Sequence, residues 1–371
     1  MEKFKVTIIG AGIVGLALAA RLAPKLGSEL LLLEQHDGFG KETSSRNSEV
    51  VHAGIYYPKD SLKARLCIAG RRQIYQLCRD HDIAHQRLGK IIVATSADEE
   101  EYLTNLLKRG LENGVEELKM LSSNESQALE PQVNAKAALL SPATGIVDSH
   151  NLMRLFYQQA KEAQATIAFN SKITEIIPAS AGFLLNCQSN DANNDENFTF
   201  SSNLVINCAG LGAAQLSRSA KITTPTIHYA KGSYFSYSGR SPLSRLVYPA
   251  PPTGGHGLGI HATLDLGGRL RFGPDLEYCA APDYQVDEKN HTKFATAIQR
   301  YLPSLDITKL IPDMAGIRPR LQGPNDAVCD FIIREEGSAG APGFFNLLGI
   351  ESPGLTAAPA IADEIAAMIN L

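Results

Sequence analysis

The chain has no two cysteines at C-x-x-C spacing: Cys67, Cys78, Cys187, Cys208, Cys279 and Cys329 stand apart. That removes support for a zinc cluster or a redox dithiol. The histidines form no metal constellation either; His81 and His85 share i, i+4 spacing without a third ligand nearby, and no metal is expected. No stretch reaches ~18 uninterrupted apolar residues, so no transmembrane helix is expected. There is no basic excess: Lys+Arg is 35 against Asp+Glu 39, a net charge of -4, which argues against nucleic acid as the main partner. No charged n-region, apolar h-region and cleavage site precede the first strand. The expectation is a reducing, cytoplasmic setting, with peripheral contact at the inner face of a membrane left open.

What is present reads as globular. The 371 residues are 44% hydrophobic and 20% charged. At ~150 residues per domain, that length is about two domains with a sizeable core. Phe4 to Ile9 reads as a strand, Ile13 to Leu26 as a helix and Leu30 to Leu33 as a second strand, a βαβ unit. Helices are expected over Ser61 to His81, Asp98 to Asn113, Asn151 to Ala163 and Leu355 to Ile369. A strand is expected over Lys90 to Thr95. Ser189 to Asn197 reads as a hairpin tip or a short disordered turn. From His228 to Phe272, strand-like runs spaced by Pro and Gly predict an antiparallel sheet. Cys208, in an apolar run, is expected to be buried.

The βαβ unit carries a fingerprint. Gly10-Ala11-Gly12-Ile13-Val14-Gly15 follows the first strand and opens the helix. The first glycine permits the tight turn, the second lets backbone approach a pyrophosphate, and the third lets helix and strand pack closely. The helix N-terminus offers N–H groups and a partial positive charge to phosphates. Glu34 ends the second strand, 19 residues beyond Gly15. A carboxylate there accepts hydrogen bonds from ribose hydroxyls. The motif predicts a bound dinucleotide and leaves NAD and FAD open.

The run Thr43-Ser44-Ser45-Arg46-Asn47-Ser48 and the following Val50 to Tyr57 narrow the choice. The segment SSRNSEVVHAGIYYPKDSLKARLC resembles the signature of FAD-dependent oxidoreductases of the D-amino-acid oxidase type, and within them the L-2-hydroxyglutarate dehydrogenases and oxidases. Further stretches agree: Leu204 to Gly212, Leu258 to Thr263 with Leu270 to Asp275, Ala315 to Pro319, and Gly349 to Thr356. Glu49 departs from the signature, which carries glycine there. ESPGLTAAPAIA is closer to the wider superfamily.

The resemblance implies an α/β (α+β overall) protein. It has a Rossmann-like FAD-binding domain, discontinuous over residues 1–90, 145–225 and 320–371. A second, mainly antiparallel substrate domain comes from residues 91–144 and 226–319. It implies non-covalent FAD held by Gly10, Gly12, Ile13, Val14, Gly15, Glu34, Thr43 to Ser48, Ile173, Ala209, Gly210, Gly354, Leu355 and Thr356. The last three bring the start of the final helix, whose dipole favours a reduced flavin anion. Glu351 is expected to point away.

His52, with an ordinary pKa near 6.5, is the expected proton acceptor. Arg318 is the expected carboxylate clamp, since a guanidinium binds a carboxylate in bidentate fashion. Lys231 and Tyr234 are placed near the site by resemblance, with Tyr248 a further candidate. For a second carboxylate the candidates are Lys231, Arg320, Arg271 and His261. The implied reaction is oxidation of a small 2-hydroxyacid, L-2-hydroxyglutarate first, with oxygen, a quinone or a carrier as acceptor. The alternatives are another hydroxyacid, an amino acid, or a flavin-binding scaffold without catalysis.

Overall fold

The computed structural model describes residues 1–190, 197–251 and 259–370. Most of the expected hairpin tip, residues 191–196, and Leu258 lie outside these. By contacts the chain divides into two discontinuous units, Met1–Ser45 with Ser149–Tyr229 and Arg318–Leu371, and Arg46–Asp148 with Ala230–Ile317.

The first unit is built on an eight-stranded sheet. Its centre is Lys3–Ile9, parallel to Leu30–Leu33 on one side and to Asn197–Asn207 on the other. Thr166–Ala168 and Ala341–Leu348 extend the parallel part. Leu30–Leu33 is buried at all four positions, as expected for a strand covered on both faces. Ser171–Ala179 and Gly182–Ser189 add an antiparallel flank, and Ile332–Glu336 pairs antiparallel with Ala341–Leu348. The helix Ile13–Leu26 packs against helices Ser149–Glu162 and Gly354–Met368. Alanines at 357, 358, 360, 362 and 366 are buried and allow close approach. The chain leaves the central strand toward opposite neighbours, and this switch point is where open α/β sheets bind ligands at the carboxyl ends of their strands.

The second unit holds a nine-stranded sheet. Its strands include His228–Tyr237, Leu270–Phe272, Ala262–Leu264, Leu246–Pro249, Lys90–Ala94 and Ala137–Ser141 in that order. Between these six strands the ladders are antiparallel as expected except one: Leu246–Pro249 runs parallel to Lys90–Ala94, with Leu246 beside Lys90 and Tyr248 beside Ile92. Sequence spacing reads local hairpins, and this pair joins strands some 150 residues apart. A small sheet of Val50–Val51, His85–Gln86 and Gly145–Val147 completes the strands. Helices Glu100–Glu112 and His291–Gln299 bury Leu103, Leu106, Phe294 and Ile298 in the same core as Ile91 and Val93.

Three of the four expected domain boundaries fall within four residues of the observed ones; the first does not. Arg46–Lys90 groups with the second unit. Val50–Val51 ladders with Gly145–Val147, and Asn113 Nδ2 donates to the carbonyls of Gly54 and Tyr57 at 3.0 and 2.9 Å. Lys90 itself begins a strand inside the nine-stranded sheet. Helix Leu62–Asp80 matches its expected span, with the Ser61 hydroxyl accepting from Ala64 N as its cap. Cys208 is half-buried rather than buried.

Candidate active site

The ends of three strands in the first unit are tied abreast. Gly10 N donates to Leu33 O at 2.8 Å, and Cys208 N to Ile9 O at 2.9 Å. Gly10 has φ 104, and a Cβ there would meet Cys208 O at 2.6 Å. A Cβ on Gly15 would sit 1.9 Å from Gly10 O, so only glycine lets the helix lie this close to the strand. Helix Ile13–Leu26 has no acidic residue in its first turn, which leaves its positive end for an anion. Ile13 N donates to Ser44 Oγ at 3.0 Å. Val14 completes the turn.

Glu34 is buried, and its two oxygens are used differently. Oε2 accepts from Ala11 N at 2.8 Å and Oε1 from His36 N at 3.0 Å. Each oxygen keeps a second lone pair, enough for a ribose diol. The carboxylate therefore holds the glycine turn in shape and presents acceptors beside it. The cradle fits a dinucleotide.

The second turn is fixed from below. Buried Asn207 donates to Ala213 O at 2.8 Å and to Asn346 Oδ1 at 3.0 Å, and its Oδ1 accepts from Ala209 N at 3.3 Å. Asn346 in turn donates to Glu336. Above this network a Cβ on Gly210, at φ 51, would meet nothing within 4 Å. Ile173 buries its side chain with Ile9, Leu31 and Leu33, so only its backbone is available to a ligand. At the C-terminal turn, Glu351 is buried and accepts from Arg320 Nε at 3.0 Å. Gly354, Leu355 and Thr356 form the first turn of the last helix. Arg318 is half-buried near the end of strand Leu310–Arg320.

The polar run begins as a 3₁₀ turn, Thr43–Ser45, in which Ser45 is exposed and bonds only to Glu42 O. Arg46 lies over the Tyr284 ring, 4.3 Å from its centroid, and donates to Ala315 O. Asn47 Oδ1 accepts from Glu49 N at 2.6 Å, and Ser48 is half-buried. Glu49 has φ 57. The resembled signature carries glycine here for a physical reason: the backbone is left-handed.

In the second unit, Lys90, Tyr56, Tyr248 and His261 meet from distant segments, with His52 within reach of the Lys90 charge. His52 follows the strand Val50–Val51, and its carbonyl accepts from Cys67 Sγ at 3.4 Å, tying it to helix Leu62–Asp80. Burial, helped by the nearby Lys90 ammonium, pushes the imidazolium of His52 down to about 3, so His52 is neutral at physiological pH. Lys90 is 1% exposed. Its Nζ lies 4.3 Å from the ring centroid of Tyr248 and 4.6 Å from that of Tyr56, and burial draws the ammonium down to about 7. The parallel register puts Lys90 and Tyr248 diagonally on one face, within reach of long side chains. Val247 opposite Ala262 sets Tyr248 against His261, and those rings stack at 3.5 Å.

The other cations named from sequence are engaged. Lys231 pairs with Asp283, Arg271 with Asp313 at 2.7 Å, and Arg320 with Glu351. Tyr234 is buried. So the second unit joins His52, Tyr248 and His261, commits Lys231 elsewhere, and adds Lys90 and Tyr56, which sequence reasoning missed. A lysine at the head of the apolar run Lys90-Ile91-Ile92-Val93 reads as a solvated strand end; only its pairing partner reveals otherwise. Among the described residues no group of three His, Cys, Asp or Glu could hold a metal, and no helix is long and apolar enough to cross a membrane.

A model of the family described as FAD dependent oxidoreductase matches residues 5–368. The chain is 39% identical to the mitochondrial L-2-hydroxyglutarate dehydrogenase of Arabidopsis thaliana, over 98% of this chain and 83% of that protein. It is 29% identical to a glycerol 3-phosphate dehydrogenase of Caloramator mitchellensis, over 97% and 72%. Among solved structures, the FAD-bound L-alpha-glycerophosphate oxidase of Mycoplasma pneumoniae superposes with a TM-score of 0.85 at 28% identity, covering 100% of this chain and 96% of that one.

Proposed function

This chain belongs to the FAD dependent oxidoreductase family and is an FAD-dependent oxidoreductase; on that premise we propose that it oxidises L-2-hydroxyglutarate to 2-oxoglutarate. The 39% identity to the Arabidopsis dehydrogenase supports the substrate. The placement of half-buried His52, anchored to helix Leu62–Asp80 through Cys67 and held neutral beside Lys90, is the observation that carries the chemistry.

Bound FAD supplies the two-electron acceptor. The turn Gly10–Gly15, Glu34 and Ser44 hold its ADP half without a covalent link. Oxidation removes the C2 hydrogen with its electron pair and the hydroxyl proton. A neutral imidazole can accept that proton, and a dianionic substrate beside it stabilises the imidazolium that forms. Arg318 holds the carboxylate next to C2 and so fixes which hydrogen is presented. A fixed clamp admits one enantiomer, the L form.

A second reading is favoured by the Caloramator relative and the Mycoplasma structure: oxidation of the hydroxyl of sn-glycerol 3-phosphate. One anaerobic screen separates them. The purified yellow protein is mixed with L- and D-2-hydroxyglutarate, sn-glycerol 3-phosphate, glycine and sarcosine, and flavin bleaching is followed. L-2-hydroxyglutarate alone should bleach it. Bleaching by the glycerol phosphate alone moves the substrate to the second reading. Bleaching by glycine or sarcosine alone moves it to an amino acid, and bleaching by none rejects all of these substrates.

A further inference from the structure

A buried cation costs several kcal/mol unless an anion compensates it. Lys90 is buried, and among the described residues no carboxylate pairs with it. Its ammonium meets the faces of Tyr56 and Tyr248 instead. Cation–π contacts offset only part of the desolvation, and with no anion beside it the ammonium is drawn down to about 7, so an arriving carboxylate would hold it charged. The Tyr56 hydroxyl, also buried, has no hydrogen-bond partner among the described residues. Lys90 is close enough to His52 for its charge to act on the imidazole. Lys231 and Arg271, also weighed for a second carboxylate in this unit, pair with Asp283 and Asp313, and His261 stacks on the Tyr248 ring.

We infer that Lys90 is the receptor for the far carboxylate of a dicarboxylic 2-hydroxyacid, with the rings of Tyr56 and Tyr248 covering the methylenes between the two ends. The inference rests on the proposed oxidation and names the residue that sets its chain-end specificity. His52 meets the C2 hydroxyl, and two methylenes separate C2 from the far carboxylate. The same lysine charge that disfavours a protonated His52 in the free enzyme is neutralised when the dianion arrives. Binding at Lys90 therefore readies His52 to accept a proton. A monocarboxylic acid of equal length leaves the ammonium uncompensated and is selected against.

The test uses oxidised holoenzyme and two unreactive probes, glutarate and pentanoate. Each is titrated by its perturbation of the flavin absorption. Wild type should bind glutarate at least ten times more tightly than pentanoate. Lys90→Met should cut that ratio at least tenfold, and Lys90→Arg should keep most of it. Lys90→Gln replaces the Met variant if the latter loses its flavin. A wild-type ratio near one, or a ratio undiminished in the neutral variants, overturns the assignment. Turnover is not part of this measurement. Failure of L-2-hydroxyglutarate to bleach the flavin would therefore reject the proposed reaction without deciding the role of Lys90.

Discussion

Tyr248 and His261 stand opposite each other across an antiparallel strand pair, and their rings stack with centroids 3.5 Å apart and planes 12° apart. The Lys90 ammonium also lies against the Tyr248 ring, 4.3 Å from its centroid. The ring is thus a wall between an imidazole and a cation, and its role is carried by the face rather than the hydroxyl. Tyr248→Phe keeps both contacts and should cost less than about 1 kcal/mol. Tyr248→Ala opens a cavity in the core and should cost about 3–5 kcal/mol. Urea denaturation of the two variants checks the difference.

His52 and Arg318 should fail in different ways. His52→Ala removes the proton acceptor, and kcat should fall by roughly 10²–10⁴. Arg318→Ala removes a charge-assisted clamp, and KM should rise at least about tenfold. Steady-state kinetics with L-2-hydroxyglutarate separate the two; a change in KM alone for His52→Ala would remove it from catalysis.

The depressed pKa of His52 has a consequence for pH. The group titrates near 6.5 when unfolded and about 3 when folded, so below 6.5 the unfolded chain binds the extra proton. Its contribution to stability is complete above pH 6.5 and is lost as pH falls toward 3. His52→Gln should flatten that part of the stability profile measured between pH 7 and 4. In the free enzyme, log kcat/KM should show no acidic limb near 6.5 that disappears with His52.

Glu34 is a brace in addition to its proposed ribose contact, because it takes the N–H groups of Ala11 and His36. Glu34→Ala leaves both without an acceptor, at about 1–3 kcal/mol each if they remain buried. Glu34→Gln, which keeps one carbonyl oxygen, should lose less. FAD content after gel filtration should therefore order as wild type, Gln variant, Ala variant. Acid precipitation should release all of the flavin; colour retained in the pellet would point to a covalent bond.

At Glu49 the backbone is left-handed, where a side chain costs roughly 1–2 kcal/mol. Glu49→Gly relieves that cost and gives back part of it as chain entropy. The variant should melt at a temperature equal to or above that of wild type, with FAD content retained. A clear fall in melting temperature would mean the carboxylate holds the turn.

The legible part of this molecule is the part built from neighbours in sequence. Gly10, Gly15 and Glu34 lie within 25 residues, and one strand–turn–helix–strand brings them together. The same holds for helix Leu62–Asp80, with its cap and its period. Lys90 was not legible, because what makes it unusual comes from Tyr56 and Tyr248 through a parallel register that no local pattern encodes. The boundary near residue 46 was missed for a related reason: Val50 and Val51 are two residues of strand, defined only by their partners Ile146 and Gly145. The left-handed turn at Glu49 was visible only as a departure from a family signature, and its cause required the backbone.

Both units are interleaved along the chain, and this governs how the protein can be made. The second unit requires Ala230–Ile317, and the first is closed by Arg318–Leu371, which supplies a sheet strand and the helix against Ile13–Leu26. As the chain leaves the ribosome, the glycine turn emerges long before Ala341–Leu348, which its sheet also requires. Neither unit can finish folding until its last segment, Ala230–Ile317 for the second and Arg318–Leu371 for the first, has been made. Loops of more than a hundred residues must close before the parallel ladders reward them. For most of its synthesis the polypeptide exposes open strand edges, which makes it a natural client for chaperones and a poor candidate for division into fragments.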